Sequence, residues 1–437
     1  MNDDVDTAGA PPDATGVVVI GGGVVGVSTA LHLAERGIDV VLCEKGRVAA
    51  EQSSRNWGWI RRQGREPDEL PLMIESVAQW TRIASELDED IGFRVGGVTY
   101  LAETEVELAA RASWLERVQG YGLDTRLLDA GQTARLLGRN DLHFRGALHT
   151  PGDAYAEPAR AVPAMARLAA HRGARIREGL AVRALVRQAG RVCGVVTERG
   201  TIHCDAVVLA GGIWSRALLE NEGLSLPQLA VRSSALRTGT APHMSSSTFG
   251  AAGASIRPRA DGGYTIGRTG AARFDLIPAG IRHLGAFLPL LSSRWRIMTL
   301  RAGRSFFGPL GRHRWAADET TPFERVRTMD PAPDPRLLTD VLEHARRLYP
   351  MLRDARIADS WAGLIDVMPD EIPVIGEVRG VPGLVLATGL SGHGFGLGPA
   401  AGLLAGQIAT GQTPVVNPLA FSVDRFGRTG AAPEGVA

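Results

Sequence analysis

Apolar residues recur along this chain with two periods, and each change of period marks an element. Val17 to Ile20 is an unbroken apolar run of strand length. It meets Gly21-Gly22-Gly23, after which Val24, Val27, Leu31 and Ala34 follow at helical spacing until Gly37. A second strand-like stretch, Ile38-Asp39-Val40-Val41-Leu42-Cys43, ends in Glu44. Strand, glycine turn, helix, strand and acid in that order predict a dinucleotide-binding βαβ unit. Gly21 makes the tight turn, Gly23 lets the backbone approach a pyrophosphate, and Gly26 lets the helix pack closely on the sheet. The helix N-terminus, with Val24 and Val25 in its first turn, then faces the phosphates, and Glu44 accepts from a ribose hydroxyl with Lys45 beside it.

Further elements are legible from their ends. Thr104 with Glu107 predicts a capping box ahead of Val106, Ala110 and Trp114. Leu72, Ile74, Val77, Ile83 and Leu87 predict a helix within 70–90, and Asp334-Pro335 starts another that turns Leu338, Val341, Leu342, Ala345 and Leu348 inward. Residues 174–210 switch to alternation, with turns at Ala189-Gly190 and Arg199-Gly200, which predicts a small antiparallel meander. It runs into Ala206–Ala210, a continuous apolar strand ending in Gly211-Gly212-Ile213-Trp214-Ser215, as expected where a central parallel strand meets a ligand. Gly383–Gly389 repeats strand then glycine. It leads through Leu390-Ser391-Gly392-His393-Gly394-Phe395-Gly396-Leu397-Gly398 to Pro399, the expected first position of a helix, with the amides of Gly396 to Gly398 as an anion site. The nucleotide domain is thus expected at 16–90, 151–230 and 355–425, behind a disordered tail at 1–15. Residues 91–150 and 231–354 form a second, discontinuous α+β domain.

Composition narrows the function. With 437 residues, 44% hydrophobic and 22% charged, the chain has room for two ordinary domains. A net charge of +1 gives no reason to expect nucleic acid, and there is no apolar run long enough to span a bilayer. The acidic, Pro/Ala-rich first residues lack the order of a signal peptide, so a cytoplasmic protein is expected. Cys43, Cys193 and Cys204 lack the close spacing of metal or redox pairs and read as structural thiols. No metal-ligand or Ser/His/Asp set is evident.

The glycine fingerprint, the meander, the Ala-Gly-Gly-Ile-Trp-Ser strand end and the Thr-Gly-Leu-Ser-Gly-His-Gly-Phe-Gly-Leu-Gly-Pro loop together resemble the FAD-dependent amine oxidoreductases. That family includes D-amino-acid dehydrogenases, glycine oxidase, sarcosine oxidases and hydroxyproline dehydrogenases. Ser53-Ser54-Arg55-Asn56-Trp57-Gly58 and Trp361-Ala362-Gly363 support the resemblance, which covers nearly the whole chain. It implies an α/β fold of glutathione-reductase-like architecture: a Rossmann-type FAD domain with a substrate domain built on a mixed antiparallel sheet. It places Ser53 and Ser54 at the phosphates, Asn56, Trp57 and Gly58 near the pyrophosphate and flavin ring, and Val182 at the adenine. Gly211, Gly212 and Trp214 pass beneath the cofactor, and Gly363 and Gly392 to Gly398 lie at the flavin.

The implied reaction is oxidation of an amine or amino acid, with D-amino or N-substituted amino acids foremost, by hydride transfer to flavin N5, giving an imine that hydrolyses. The electron acceptor is oxygen, a quinone or a dye. Gly363 stands where monomeric sarcosine oxidases carry the flavin-linked cysteine, and 49–65 holds no histidine, so noncovalent FAD is expected. Ile365 stands where glycine oxidase has its carboxylate-binding arginine. A substrate carboxylate would then turn to Arg61 or Arg62, with Arg65 and Arg304 as further candidates. The alternative is a cationic amine held against Trp57 and Trp59. His393 and Tyr264 are candidates for facing the substrate. Two other readings stay open: a flavin subunit that works only within a hetero-oligomer or membrane-linked chain, and a flavin hydroxylase.

Overall fold

The computed structural model describes residues 7–138, 144–270, 272–294, 298–311 and 314–427. A first sheet has at its centre the strand Ala14–Ile20, with Val40–Cys43 and then Arg175–Arg177 on one side. On the other side lie Gly200–Leu209, Leu384–Thr388 and the antiparallel edge Val374–Glu377. Val17, Val18 and Val19 are buried because the sheet is covered on both faces. One face carries the helices Val24–Glu35, Leu70–Glu86, Pro158–His171 and Gly394–Ala409; the other carries the meander and the segment around Phe323. The meander and the central strand share one element, since Gly200–Leu209 pairs antiparallel with Arg191–Thr197 at its start and parallel with Ala14–Ile20 along its length. Ala189 and Gly190, both at positive φ, make the tight hairpin before it.

Among the described residues the second sheet has ten strands. Leu229–Thr238 is its axis, flanked by Ala272–Asp275 and Tyr264–Gly267 on one side and by Ile357–Val367 on the other. The expected boundaries shift here, because 357–367 pairs along its length with 229–238 and so belongs to this sheet, not to the nucleotide domain. Its partner lies more than a hundred residues earlier, beyond the reach of any local pattern. The pairing delivers Gly363 to Asp366 from the substrate sheet to the nucleotide domain.

The tail also differs from expectation. Thr7 O accepts from Glu178 N–H and Asp13 O from His203 N–H, and Ala14 already belongs to a strand, so 7–15 are tied to the first domain. Residues 1–6 lie outside the described residues. The capping box of Thr104 and Glu107 is present, as is the Asp334 cap. Val106 is 80% exposed, and Trp114 is the buried residue of that helix. All three cysteines are free thiols, and burial pushes those of Cys43 and Cys204 up to about 12. No helix among the described residues is long and apolar enough to cross a membrane.

Glu157 and Arg257 form a buried bidentate pair, 2.9 and 3.0 Å, that joins the two domains beneath Trp57, whose carbonyl also accepts from Arg257. Glu157→Ala strands the guanidinium, with an expected loss of about 3–5 kcal/mol, read by thermal denaturation. Burial pushes the Glu157 carboxyl up, but Arg257 and Arg259 outweigh it and hold the group below the usual range. The pair's contribution is therefore complete above the ordinary carboxyl range and is lost as pH falls through the lowered folded value.

Candidate active site

A single cavity of about 1090 Å³ runs from Glu44 past the first glycine turn to His393 and on into the second sheet. Of the residues expected to hold the cofactor, all but Gly26, Ser54, Gly58, Leu397 and Gly398 line it. At its nucleotide end Gly21 turns the chain at φ 108°. Glu44 is half-buried and accepts from Gly22 N–H at 2.7 Å and Gly46 N–H at 2.6 Å; desolvation pushes its carboxyl up against those two donors. Ser53 Oγ accepts from Val24 N–H at 2.8 Å, so its own proton is free to point into the cavity. Lys45 is already engaged: its ammonium donates to Glu51 and to the carbonyls of Val326 and Arg327, and sits 4.5 Å from the Trp214 ring centroid.

The five absent residues are accounted for by packing. A Cβ on Gly26 would stand 2.0 Å from Gly21 O, one on Gly58 2.1 Å from Ala156 O, and one on Gly398 2.5 Å from Val24 Cγ2. Leu397 is core, and Ser54 Oγ donates to Glu51 O.

At the other end the helix starts at Gly394, several residues before Pro399, with His393 as its N-cap. Its unpaired amides are therefore those of Gly394, Phe395 and Gly396. Pro399 inside the helix is tolerated because side chains patch the ladder it interrupts. Trp80 Nε1 donates to the carbonyls of Phe395 and Gly396, while Ser76 bridges Gly396 O and Ala400 N–H. Asp366, which sequence reasoning missed, is buried here. It accepts from Gly389 N–H at 2.8 Å, Leu390 N–H and Gln52 Nε2, and so fastens the substrate sheet to this loop.

The substrate candidates separate sharply. Arg62 is withdrawn from the cavity into ion pairs with Asp153 (2.9 Å) and Asp124 (3.2 Å). Asp153 is fully buried and also accepts from the amides of Arg62 and Gln63, so Arg62 holds the loop instead of a ligand. Tyr264 is core, 2% exposed, with its hydroxyl shared between Pro242 O and Met244 N–H. The Arg304 side chain lies outside the described residues. Trp59 lines the cavity edge-on to Trp57 and Tyr100, and Arg61 lies 5.4 Å from the Tyr100 ring centroid while donating to Gln63 O.

Arg65, named in sequence but not favoured, is the arginine the fold buries at the cavity wall. Its Nε donates to Arg61 O, its carbonyl accepts from Trp114 Nε1, and its Nη1 has no partner. Burial, reinforced by the charge of Arg61, pulls this guanidinium down to about 9. One turn on, Glu69 Oε1 lies 3.0 Å from His393 Nδ1. Burial, then the charge of Arg65, takes His393 down to about 4, so at neutral pH the ring is uncharged and Glu69 is the ionised partner. Beyond them Val231, Phe274, Leu276, Phe287, Leu290 and Leu291 make an apolar arm of the same cavity.

Residues 16–408 match the family model described as FAD dependent oxidoreductase. The chain belongs to that family. The oxidoreductase is similar to L-amino acid deaminase from Proteus myxofaciens, solved in complex with anthranilate, at 31% identity and a TM-score of 0.91 over 97% of this chain and 96% of that one. L-amino acid deaminase from Proteus vulgaris gives 31% and 0.89 over 96% and 99%. The glycine oxidase of Pseudomonas putida is 27% identical over 95% of this chain and 99% of its own. The family's cofactor is FAD, and the walls suit it: a half-buried carboxylate with lone pairs to spare and bare glycine backbone at one end, unpaired helix amides at the other.

Proposed function

We propose that this oxidoreductase takes an L-α-amino acid with an apolar side chain and converts it to the 2-imino acid, which water hydrolyses to a 2-oxo acid and ammonia. The carrying observation is Arg65, a buried guanidinium with an unpartnered Nη1 on the wall of the cavity that residues 392–396 and the apolar arm also line. A buried guanidinium N–H without an acceptor is costly, and a substrate carboxylate supplies one. The likeness to two L-amino acid deaminases, one solved with a ligand that bears a carboxylate, favours L-amino acids over the D- or N-substituted substrates expected from sequence. An aromatic cage for a cationic amine is disfavoured, because Arg61 already places positive charge on Tyr100 of the same wall.

In this reading Glu44 would hold the ribose of FAD, the amides after Gly21 and the Ser53 hydroxyl would hold its pyrophosphate, and the Gly394 to Gly396 amides would serve its ring. Bound FAD supplies the acceptor for the hydride lost from Cα. The chain contributes position and field: helix-terminal amides stabilise the negative charge that builds at the ring, and Arg65 anchors the carboxylate so that Cα–H is presented there.

Anaerobic bleaching of the flavin by L- and D-amino acids, N-methyl amino acids and their decarboxylated amines tests this. Leucine- or phenylalanine-like L-amino acids should bleach fastest; equal bleaching by the decarboxylated amines overturns the carboxylate reading. Readmitting oxygen then separates an oxidase, which recolours at once, from a dehydrogenase that needs a quinone or dye. Flavin should remain in the supernatant after acid precipitation, as noncovalent FAD requires.

A further inference from the structure

Two groups that the amino-acid reading leaves without a task, Glu69 and His393, lie together at residues 392–396. Glu69 is buried at the head of the helix Leu70–Glu86, with Oε1 on His393 Nδ1 and Oε2 unpartnered. A carboxylate at Nδ1 keeps the ring proton there, leaving Nε2 with a lone pair. About a fifth of the His393 side chain is accessible, and the residue lines the cavity, so this lone pair has room for a ligand. The charged groups that weigh most on His393 come from one segment: Arg65, Glu69 and Arg61. Two are cations, and both also line the cavity.

We propose that His393 takes the proton of the substrate ammonium, that Glu69 is its positioning residue, and that the substrate's own carboxylate, bound at Arg65 and Arg61, switches the pair on. The proposal rests on the amino-acid reading above. An α-amino acid arrives as an ammonium carboxylate, and loss of hydride from Cα needs the nitrogen lone pair. In the transfer the N–H bond of the ammonium breaks, its electron pair stays on nitrogen, and the proton bonds to Nε2, turning a neutral imidazole into an imidazolium that Glu69 stabilises. With the cavity empty, burial and the two arginines hold His393 down to about 4 and it is a poor acceptor. A carboxylate on those arginines cancels much of their field at Nε2, so its basicity rises only when the ligand carries a carboxylate. An amine without that group binds beside a base that stays off. Selectivity for amino acids then appears in the rate of flavin reduction and not in affinity alone.

The first probe is benzoate, a carboxylate with no amine and nothing to oxidise, bound to the holoenzyme at about pH 5.5. Titration calorimetry in buffers of different ionisation enthalpy counts the protons exchanged. Wild type should take up a fraction of a proton as benzoate binds, and His393→Asn and Glu69→Gln should bind benzoate with that uptake lost. Anaerobic stopped-flow reduction at neutral pH supplies the second readout. Glu69→Gln should slow reduction by the preferred amino acid about 10²-fold, while changing reduction by its decarboxylated amine far less. Glu69→Asp should recover part of the rate. Benzoate binding without proton uptake, or with the same uptake in His393→Asn, overturns the switch and leaves the carboxylate site standing. Failure of benzoate to bind removes the carboxylate site and both proposals with it. Retained visible flavin absorbance in each variant, with His393→Gln as a second substitution, separates these outcomes from misfolding.

Discussion

Arg65→Met is expected to lower kcat/KM for the preferred amino acid by roughly 30-fold to a few thousand-fold, the equivalent of about 2–5 kcal/mol for deleting one partner of a buried charge pair. The same variant should not slow turnover of the decarboxylated amine and should raise it where the switch operates, because that substrate never used the guanidinium and the Arg65 charge no longer holds His393 down. Arg65→Lys should recover little. A single ammonium cannot make the Nε bond to Arg61 O while directing a second donor at a ligand. Stability should move the other way. In the unliganded protein Arg65 Nη1 is buried without a partner, so methionine relieves a desolvation cost and the melting temperature should rise. Parallel steady-state assays with amino acid and amine, and thermal melts of the same preparations, check both halves. A loss that is equal for the two substrates would place Arg65 in the scaffold.

The second large effect is expected from Gly26→Ala. The added Cβ would stand 2.0 Å from Gly21 O and 3.3 Å from Val19 Cγ1, and neither neighbour has a flexible end that can swing away. The helix must lift off the strand or the Gly21 turn must open, at about 1–3 kcal/mol for overpacking. Either response moves the backbone amides and the Glu44 hydrogen bond that shape the nucleotide end. The variant should therefore purify with little flavin, melt earlier than wild type, and gain little from added FAD. The flavin-to-protein absorbance ratio and melts with and without FAD measure this; full occupancy would show that the turn tolerates the shift. Gly26 lines no part of the cavity, so the loss would come through packing and not through a lost contact.

Two corrections share one cause. Arg61, Arg62 and Arg65 look alike in the string Trp59-Ile60-Arg61-Arg62-Gln63-Gly64-Arg65, and any of them could turn toward a ligand. What separates them is Asp153, a fully buried carboxylate ninety residues on that captures Arg62, and the Trp114 indole that supports the backbone of Arg65. Likewise the glycine-rich run before Pro399 reads as loop, because glycine and proline are poor helix formers. It is helical from Gly394 because Gly398 and Gly402 leave room for the helix Val24–Glu35, and because Ser76 and Trp80 supply the hydrogen bonds that proline removes.

The sequence by itself determined what short-range physics can write. The Val17–Ile20 strand, the glycine turn, the acid at Glu44, the capped helices and the meander each follow from periodicity, capping chemistry and turn residues within a few positions of one another. Together they were enough to indicate a nucleotide-binding fold with a second domain threaded through it. Only the tertiary structure decided which charged groups meet. The pairing of 357–367 with 229–238, the placement of Asp366 at the 389–390 amides, the burial of Arg65 without a partner and the Glu69 to His393 contact each join positions far apart in the chain, or depend on what such positions enclose. Burial sets the cost of a charge and therefore its chemistry, and burial is a property of the packed chain that no local pattern contains.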